Sequence, residues 1–392
     1  MNQTVNRQKT TLPAPEPVCH RRLLLRGAGL LAVSGVVPVW AQTASQLASR
    51  SISVAQIVDF SQAQQDVSKD FLIGSRAAWA DINLRGGLHG RRVEHLVLET
   101  DGTAASLGRA LDAARDNPSC VVLSGSVGDR VASQIVTLSR QGGLNFAHAA
   151  PWLQNSSQEI GEKTFPIFAA RQEQIAYALK SASVMNMREL GVIYGSAQDF
   201  DTYHAELDRI AVNLQIKLQT FRGGDDLRQL GQKMTPATPA VLLFIGGTPE
   251  LAELAQGLQK QSRQRYVIAL ADVNLQTLRQ LDMVRGTPVI ATQPVPMANT
   301  SLPITRSYRE IMARLFDEQP TSLSLAGFIA ARYTYEVLAS VDGALTRPSV
   351  LAAFQQRTSL DIGGFRVSFN AQRRSSTYVT QSMMAVDGRL IG

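Results

Sequence analysis

Short apolar runs alternate along the chain with longer segments in which apolar residues recur every three or four positions. The runs SISVAQIV, RVEHLVLET, CVVLS and LNFAHA predict strands at 51–58, 92–100, 120–124 and 144–149. The segments between them predict amphipathic helices, and the helix over 64–83 has its apolar side chains on one stripe. Strands that alternate with helices at this spacing predict a parallel sheet covered on both faces.

The same rhythm restarts after a crossing segment at 164–174 and continues to residue 296. It predicts a second doubly wound unit, in which strands such as ELGVIYG and PAVLLFIGG lie between helices. The rest of the chain breaks this pattern, because it predicts long helices over 304–319 and 323–345 and then short strands. The fold class that we expect is therefore α/β, with two doubly wound parallel-sheet lobes.

The first 41 residues have the features of an export signal. A basic start that contains Arg21, Arg22 and Arg26 leads into an apolar stretch, which ends at the small residue Ala41. This stretch is shorter than the roughly 20 residues that a membrane-spanning helix needs. We predict cleavage after Ala41 and a periplasmic location, by the twin-arginine or the general secretory route. The alternative is a signal that stays uncleaved as an anchor.

Charge and cysteine content exclude several classes of protein. The formal charge of the whole chain is +7, but removal of residues 1–41 leaves 34 basic against 31 acidic residues. So small an excess, without a basic run interleaved with aromatic residues, does not indicate nucleic-acid binding. Cys120 is the one cysteine that follows the signal, so we expect no intramolecular disulfide.

The sequence shows no pattern of catalytic residues. The glycine-containing turn GSVGDRVA, at 125–132, lacks the Gly-Lys-Ser/Thr ending of a phosphate-binding loop and the spacing of a dinucleotide fingerprint. No His/Cys cluster has metal-ligand spacing, and no nucleophile elbow follows a predicted strand. We therefore expect no enzyme activity, no metal and no cofactor.

Four segments, in this order, resemble the solute-binding proteins of branched-chain amino acid ABC transporters, such as the Leu/Ile/Val-binding proteins. They are WADINLRGGLHGRRVEHLVLETDG, LSGSVGDRVASQIVTLSRQGGLNFAHAAP, QPTSLSLAGFIAARYTYEVLASV, and LDIGGFRVSFN followed by a strand and DGRLI. The resemblance covers about residues 51–392. It implies the type I periplasmic binding protein fold, in which two lobes joined by a three-stranded hinge close on a ligand.

The resemblance also implies where the chain crosses between the lobes. The crossings are expected near residues 169–171, 293–295 and 360–363. Lobe one would then comprise 51–169 and 296–361, and lobe two 170–295 and 362–392. The ligand is expected in the cleft where the carboxyl ends of the strands of both lobes face each other.

By the same resemblance, residues 125–129 and 147–152 are the ligand loops of lobe one. Members that bind amino acids have a small hydroxyl residue at the position of Asp129, where it meets the ligand carboxylate, and a second one near Pro151. Asp129 would repel a carboxylate, and Pro151 offers neither an N–H group nor a hydroxyl. We interpret Asp129 either as the N-cap of a helix over 130–141 or as a contact to a cation or amide of the ligand.

The other candidate ligand contacts follow from position, and most have a structural alternative. Gly128 and Ala149 lie in the two loops, and Trp152 either stacks on a ligand or contributes to lobe packing. Arg171 either clamps an acidic ligand or pairs with an acid across the hinge. His148 is interpreted as structural rather than as a contact or pH switch. The candidates in lobe two, each alternatively a helix cap or turn residue, are Tyr194, Asp199, Phe200, Gly247, Thr248 and Asp272.

Together these features predict an exported, monomeric substrate-binding component of an ABC transporter. It would bind a small polar solute, such as an amino acid, an amide or a related molecule, and deliver it to a membrane permease. One alternative is an exported ligand sensor of the same fold that signals to a membrane receptor. A second alternative, from another class, is an enzyme that uses the cleft.

Overall fold

The computed structural model describes residues 51–155, 157–224, 226–280, 286–375, 378–384 and 390–391. The predicted signal, residues 1–41, lies outside them. The described residues all belong to one compact unit, Ser49–Gly392. In this part of the chain no helix combines the length and the apolar character that a membrane span requires.

The first sheet is parallel and has the strand order β2-β1-β3-β4-β5 within the described ranges. The strands are β1 (Ile52–Asp59), β2 (Val93–Thr100), β3 (Cys120–Ser124), β4 (Ala147–Ala149) and β5 (Thr164–Phe165). All eight residues of β1 are buried. A strand with no exposed residue is covered on both faces, as the apolar runs predicted.

Helices α1 (Gln65–Leu84), α2 (Ala104–Asp116) and α3 (Asp129–Arg140) follow the first three strands of this sheet. The side chain of Thr103 caps α2 by accepting the N–H of Ser106 at 3.2 Å. The stripe predicted on α1 is confirmed, because its apolar side chains are buried: Val67, Phe71, Leu72, Ala78, Trp79 and Ile82.

The second sheet, as far as the structure describes it, has the order β14-β13-β10-β9-β8-β6-β7. Its parallel strands are β6 (Glu189–Tyr194), β7 (Lys217–Arg222), β8 (Val241–Ile245), β9 (Tyr266–Ala269) and β10 (Val289–Gln293). They alternate with α4 (Arg171–Val184), α5 (Ala197–Asn213), α6 (Leu227–Gln232), α7 (Thr248–Leu258) and α8 (Leu275–Gln280). The last two strands, β13 (Thr380–Met384) and β14 (Leu390–Ile391), are antiparallel.

Between the parallel strands of the second sheet and its two antiparallel strands, the chain returns to the first lobe. Helices α9 (Pro303–Leu315), α10 (Ser322–Ala339) and α11 (Arg347–Gln355) contribute buried residues to the core that also contains α1. A short hairpin of β11 (Leu360–Ile362) and β12 (Phe365–Val367) follows them.

The third crossing between the lobes differs from the one expected near 360–363. Ile362, Phe365 and Val367 are buried in the core of the first lobe, and Tyr378 packs against that core. Thr380 begins the strand β13 of the second sheet. The hairpin therefore belongs to the first lobe, and the chain passes to the second sheet after Tyr378.

The contact between α1 and α10 needs glycine on both helices. A Cβ at Gly327 would lie 1.8 Å from the carbonyl oxygen of Phe71, and a Cβ at Gly74 would lie 1.6 Å from that of Ser324. The two helices therefore approach each other backbone to backbone. This contact sets the distance between α1 and α10 in the first-lobe core.

We expect Gly327→Ala to lower the free energy of unfolding by about 3 kcal/mol, since the new methyl group must push two helix backbones apart. Urea unfolding followed by circular dichroism measures the change. The matched control is Gly108→Ala in α2, where a Cβ meets nothing within 4 Å. That variant should be as stable as the parent or slightly more so. Equal effects of the two substitutions would contradict the close approach.

Candidate functional site

A cleft of about 1220 Å³ lies between the two lobes. Its first wall comes from α2, α3 and the loop after β4, and its second wall from the starts of α4, α5 and α7 and the loop after β9. Ligand sites of open parallel sheets form at this edge, beyond the carboxyl ends of the strands. The charged residues that line the cleft are Asp129, Arg130, Arg171, Asp199, Glu250 and Asp272.

Asp129 reaches the cleft through a turn that requires glycine. Gly128 has a φ of 102°, and a Cβ there would lie 2.5 Å from the Cβ of Asp59. Gly128 is the N-cap and α3 begins at Asp129, so the interpretation of Asp129 as the N-cap is wrong. Its Oδ1 atom instead accepts the N–H of Gln154 at 2.7 Å. The carboxylate thus fixes the second loop of the first lobe to the start of α3.

The backbone of Gln154 connects this arrangement to the second lobe. Its N–H donates to Asp129, and its carbonyl oxygen accepts the N–H of Arg171 at 2.7 Å. The side chain of Gln174 adds a second link, since its Nε2 donates to Gln154 Oε1 at 2.9 Å. The Oε1 of Gln174 accepts the N–H of Ala271 at 2.9 Å. Residues at the first crossing are therefore held to both lobes.

The Nε and Nη1 groups of Arg171 donate hydrogen bonds within the second lobe. Its Nε donates to Asp272 Oδ2 at 2.8 Å, and its Nη1 donates to the Tyr203 hydroxyl at 2.8 Å and to Asp199 Oδ1 at 3.3 Å. The guanidinium carbon also lies 4.9 Å from the centre of the Tyr203 ring. Arg171 was expected either to clamp an acidic ligand or to pair with an acid across the hinge. The structure shows Arg171 paired with two acids, but both acids belong to the same lobe as Arg171.

Burial and charge shift the proton affinities of this cluster. Burial raises the pKa of Asp129, while Arg171 acts to lower it and Asp272 to raise it. Burial also raises the pKa of Asp199, against the influence of Arg171. For Arg171, burial alone would lower the pKa, but Asp272 and its neighbours raise it well above the usual value. The guanidinium therefore stays charged, and it neutralises only part of the acid around it.

A negatively charged ligand would meet this excess of acid. A ligand carboxylate 4 Å from Asp129 would cost about 4 kcal/mol at an effective dielectric constant of 20. A micromolar complex has a binding free energy of roughly 8 kcal/mol in total. The repulsion would thus cancel about half of the binding free energy of such a complex.

The family of the chain follows from its sequence. Residues 51–387 match the family model described as periplasmic binding protein. The chain belongs to this family. No curated protein matches it in sequence.

Solved structures of similar proteins have the same fold. An extracellular ligand-binding receptor from Verminephrobacter eiseniae superposes with a TM-score of 0.78 at 19% identity, over 88% of this chain and 100% of that one. A substrate-binding periplasmic protein from Ralstonia solanacearum gives 0.74 at 20% identity, over 87% and 99%. An ABC transporter substrate-binding protein from Desulfitobacterium hafniense, in complex with Leu, gives 0.66 at 18% identity, over 86% and 98%. The resemblance to the type I periplasmic binding protein fold is confirmed.

Several residues expected at the ligand site of this periplasmic binding protein lie in its cores. Trp152 is 1% exposed and packs edge-on against Phe71 and Phe168, with ring centres 5.6 Å and 5.3 Å away. Tyr194 and Ala149 are fully buried in the cores of the second and first lobes. For Trp152, the structure contains the packing alternative. None of these three side chains is among the lining of the cleft as the structure describes it.

Of the remaining candidates, Phe200 and Thr248 are not among the described lining of the cleft, whereas Gly247 is. Phe200 stacks on His204 with ring centres 4.3 Å apart, and the Arg222 guanidinium lies 3.7 Å from the centre of its ring. Thr248 begins α7, and its hydroxyl accepts the N–H of Asn274 at 2.9 Å. Gly247, directly before it, does line the cleft.

His148 is buried and does not line the described cleft, which agrees with a structural role, although the satisfied hydrogen bonding of such a histidine is missing among the described residues. Both of its ring nitrogens are buried without a hydrogen-bond partner among the described residues. Burial lowers the pKa of His148 to about 3, so the ring is neutral at physiological pH. A neutral ring away from the cleft lining does not serve as a pH switch for the ligand.

Tyr203 was not predicted from the sequence, but it lies in the cluster of Arg171, Asp199 and Asp272. Tyr203 follows Asp199 by four residues on α5, so both side chains lie on the same face of one helical turn. The four-residue spacing from Asp199 is the sequence feature that could have identified Tyr203 as a site residue. The lining also includes Gln198, Thr202, Glu250 and Asn155, which offer further hydrogen-bonding groups.

We expect Arg171→Gln to destabilise the protein by about 3 kcal/mol, because Asp272, whose side chain is 5% exposed, loses its counter-ion. Combining it with Asp272→Asn should restore part of the loss, since the double variant leaves less uncompensated charge. Urea unfolding of the two single variants and the double variant gives the coupling. Lys217→Gln, which breaks an exposed pair with Glu189, serves as the control and should cost under about 1 kcal/mol. Strict additivity of the Arg171 and Asp272 substitutions would contradict the buried pair.

Proposed function

We propose that this protein is the exported substrate-binding component of an ABC transporter. It binds a small polar solute in the cleft between its lobes and delivers the solute to a membrane permease. The observation that carries this proposal is the cleft itself, whose two walls present charged and polar side chains from both lobes. The mechanism consists of binding, closure of the lobes, docking and release, without a chemical reaction or a cofactor.

The dimensions of the cleft support closure on a solute. Its volume of about 1220 Å³ exceeds the 300–1,000 Å³ of a typical small-molecule site. A solute would fill such a cleft only after the walls approach each other. Polar contacts across the lobes outside the crossings include Asn274 Nδ2 to the Asp66 carbonyl oxygen at 3.2 Å and Arg279 Nη2 to Gln319 Oε1 at 2.5 Å. Contacts of this kind are weak enough to rearrange during a hinge motion.

Export is the second part of the proposal, and it rests on residues 1–41. A basic start, an apolar stretch and a small residue at Ala41 are the features that a signal peptidase substrate needs. The mature protein would act in the periplasm as a monomer. There its single cysteine, Cys120, is buried and free, so an oxidising compartment does not alter the fold.

We expect one or more solutes from a panel of amino acids, amides, amines and carboxylic acids to raise the melting temperature by several degrees. A ligand at about 100 times its dissociation constant adds roughly 2.7 kcal/mol of stability. The same solute should lower the radius of gyration in small-angle X-ray scattering as the lobes close.

The control for this experiment is Gly108→Trp, on the wall of the cleft. Gly108 lines the cleft and has no atom within 4 Å of an added Cβ, so the indole would enter the open space without disturbing the core. This variant should melt like the parent and fail to respond to the solute. Absence of any responding solute, with cooperative melting intact, would overturn the proposed function.

A ligand sensor of the same fold is the second candidate. The structure from Verminephrobacter eiseniae carries the description of an extracellular ligand-binding receptor, and its fold covers 88% of this chain. Both functions need the same cleft and the same closure. Solute uptake by cells with and without the gene separates them, because a sensor would leave uptake unchanged.

A further inference from the structure

We infer that the solute is a cation without a carboxylate, namely an organic amine, diamine or guanidine, and not an α-amino acid. This inference rests on the proposed function and specifies the class of its ligand. The cleft and the family identify the site, and the arrangement of charges in the cleft identifies the ligand.

The described lining of the cleft carries more acid than base. Four carboxylates face two guanidinium groups: Asp129, Asp199, Glu250 and Asp272 against Arg130 and Arg171. Asp272 is 5% exposed and Asp199 is 19% exposed, so solvent screens these two carboxylates only partly. A ligand that carries positive charge would lower the electrostatic energy of these carboxylates.

Arg171 offers a ligand carboxylate only its Nη2 group. Its side chain is 11% exposed, and its Nε and Nη1 groups donate to two carboxylates and one hydroxyl. An anion at Nη2 would meet a guanidinium whose positive charge Asp272 and Asp199 already offset. Arg171 therefore reduces the acidity of the second lobe and attracts an anion only weakly.

Asp129 supplies negative charge from the opposite wall. Its carboxylate is half-buried, and its Oδ1 already accepts the N–H of Gln154. A carboxylate has about four acceptor positions, so Asp129 can accept further hydrogen bonds from an ammonium or amidinium group. Its placement opposite Arg171, Asp199 and Asp272 makes it the acid that a bound cation would meet from the first lobe.

Arg130 is the remaining positive group of the described cleft lining, and it is the feature by which an anion could be recognised. It is exposed and directly follows Asp129 on α3. A substitution at Arg130 therefore distinguishes the two kinds of ligand. Arg130→Gln should raise the affinity for a cation, because it removes a positive charge from the cleft, whereas it would abolish binding of an anion.

The decisive experiment compares pairs of ligands that differ only in one carboxylate. The pairs are 3-methylbutylamine and leucine, cadaverine and lysine, putrescine and ornithine, and agmatine and arginine. Isothermal titration calorimetry on the mature protein measures each affinity. We expect the amine of at least one pair to bind at least tenfold more tightly than its amino acid.

Asp129→Asn provides the matched variant. The Asn side chain keeps an oxygen that can accept the N–H of Gln154, so the loop should remain in place, and an unchanged melting temperature verifies this. The variant should bind the amine at least tenfold more weakly and lose most of its preference over the amino acid. Lys217→Gln, far from the cleft lining, should bind like the parent.

The possible outcomes separate this inference from the proposed function. Tighter binding of the amino acid than of its amine, or loss of binding in Arg130→Gln, overturns the cationic ligand and leaves the solute-binding function standing. Binding of the amine that is indifferent to Asp129→Asn also overturns the inference, because the charge would then not be recognised through this residue. No binding of any member of these pairs overturns the inference, and only the absence of a response across the wider thermal-shift panel overturns the proposed function as well.

The affinity for the amine should also depend on pH. Burial raises the pKa of Asp129 and of Asp199, so these carboxyls take up protons at a higher pH than an ordinary aspartate does. The amine stays protonated throughout this range. Affinity should therefore fall as the medium becomes acidic, starting above the pH at which free aspartate titrates, and Asp129→Asn should flatten the profile.

The charged and titratable groups near Asp129 are Arg130, Arg171, Asp199, Tyr203, Glu250, Asp272 and Arg374. Affinity that is constant with pH would contradict the role of these carboxyls.

Discussion

The pairing of Arg171 with Asp272 is the interaction on which the rest of the site depends. Arg171 is the first residue of α4, directly after the first crossing, and its backbone N–H is bound to Gln154 of the other lobe. Its side chain gathers Asp272, Asp199 and Tyr203 from two further elements of the second lobe. The backbone of Arg171 therefore holds the hinge in place, and its side chain sets the charge of the cleft wall.

The core and the site of this protein place different demands on the chain. The first-lobe core requires two glycines, Gly74 and Gly327, where α1 and α10 meet backbone to backbone. The site requires one glycine, Gly128, whose positive φ turns the chain from β3 towards the start of α3. The residue after Gly128 lies at the cleft and not in the core, so its charge can change as long as the side chain still accepts the N–H of Gln154. A change of ligand charge is therefore possible there without a change of fold.

Periodicity was sufficient to predict the parallel strands of both sheets and the buried stripe of α1, because burial on both faces leaves a clear apolar pattern. It did not predict the lobe to which the last hairpin belongs. Ile362, Phe365 and Val367 would fit either core, and packing against distant residues decides between them: the ring of Phe365 lies 6.0 Å from that of Phe168. Single-sequence patterns do not contain such long-range partners.

The same distinction explains which site residues could be predicted. The family resemblance placed Asp129, Arg171 and Asp272 near the cleft, and all three line it. Strand ends alone would not have been sufficient, because Asp59 ends the buried strand β1 and is only 1% exposed. Aromatic side chains at such positions can turn either way, and Trp152 turns inward only because Phe71 and Phe168 are there to meet it. Under the proposed function, charge also governs closure, since approach of Asp129 to the acids of the second lobe is unfavourable until a cation lies between them.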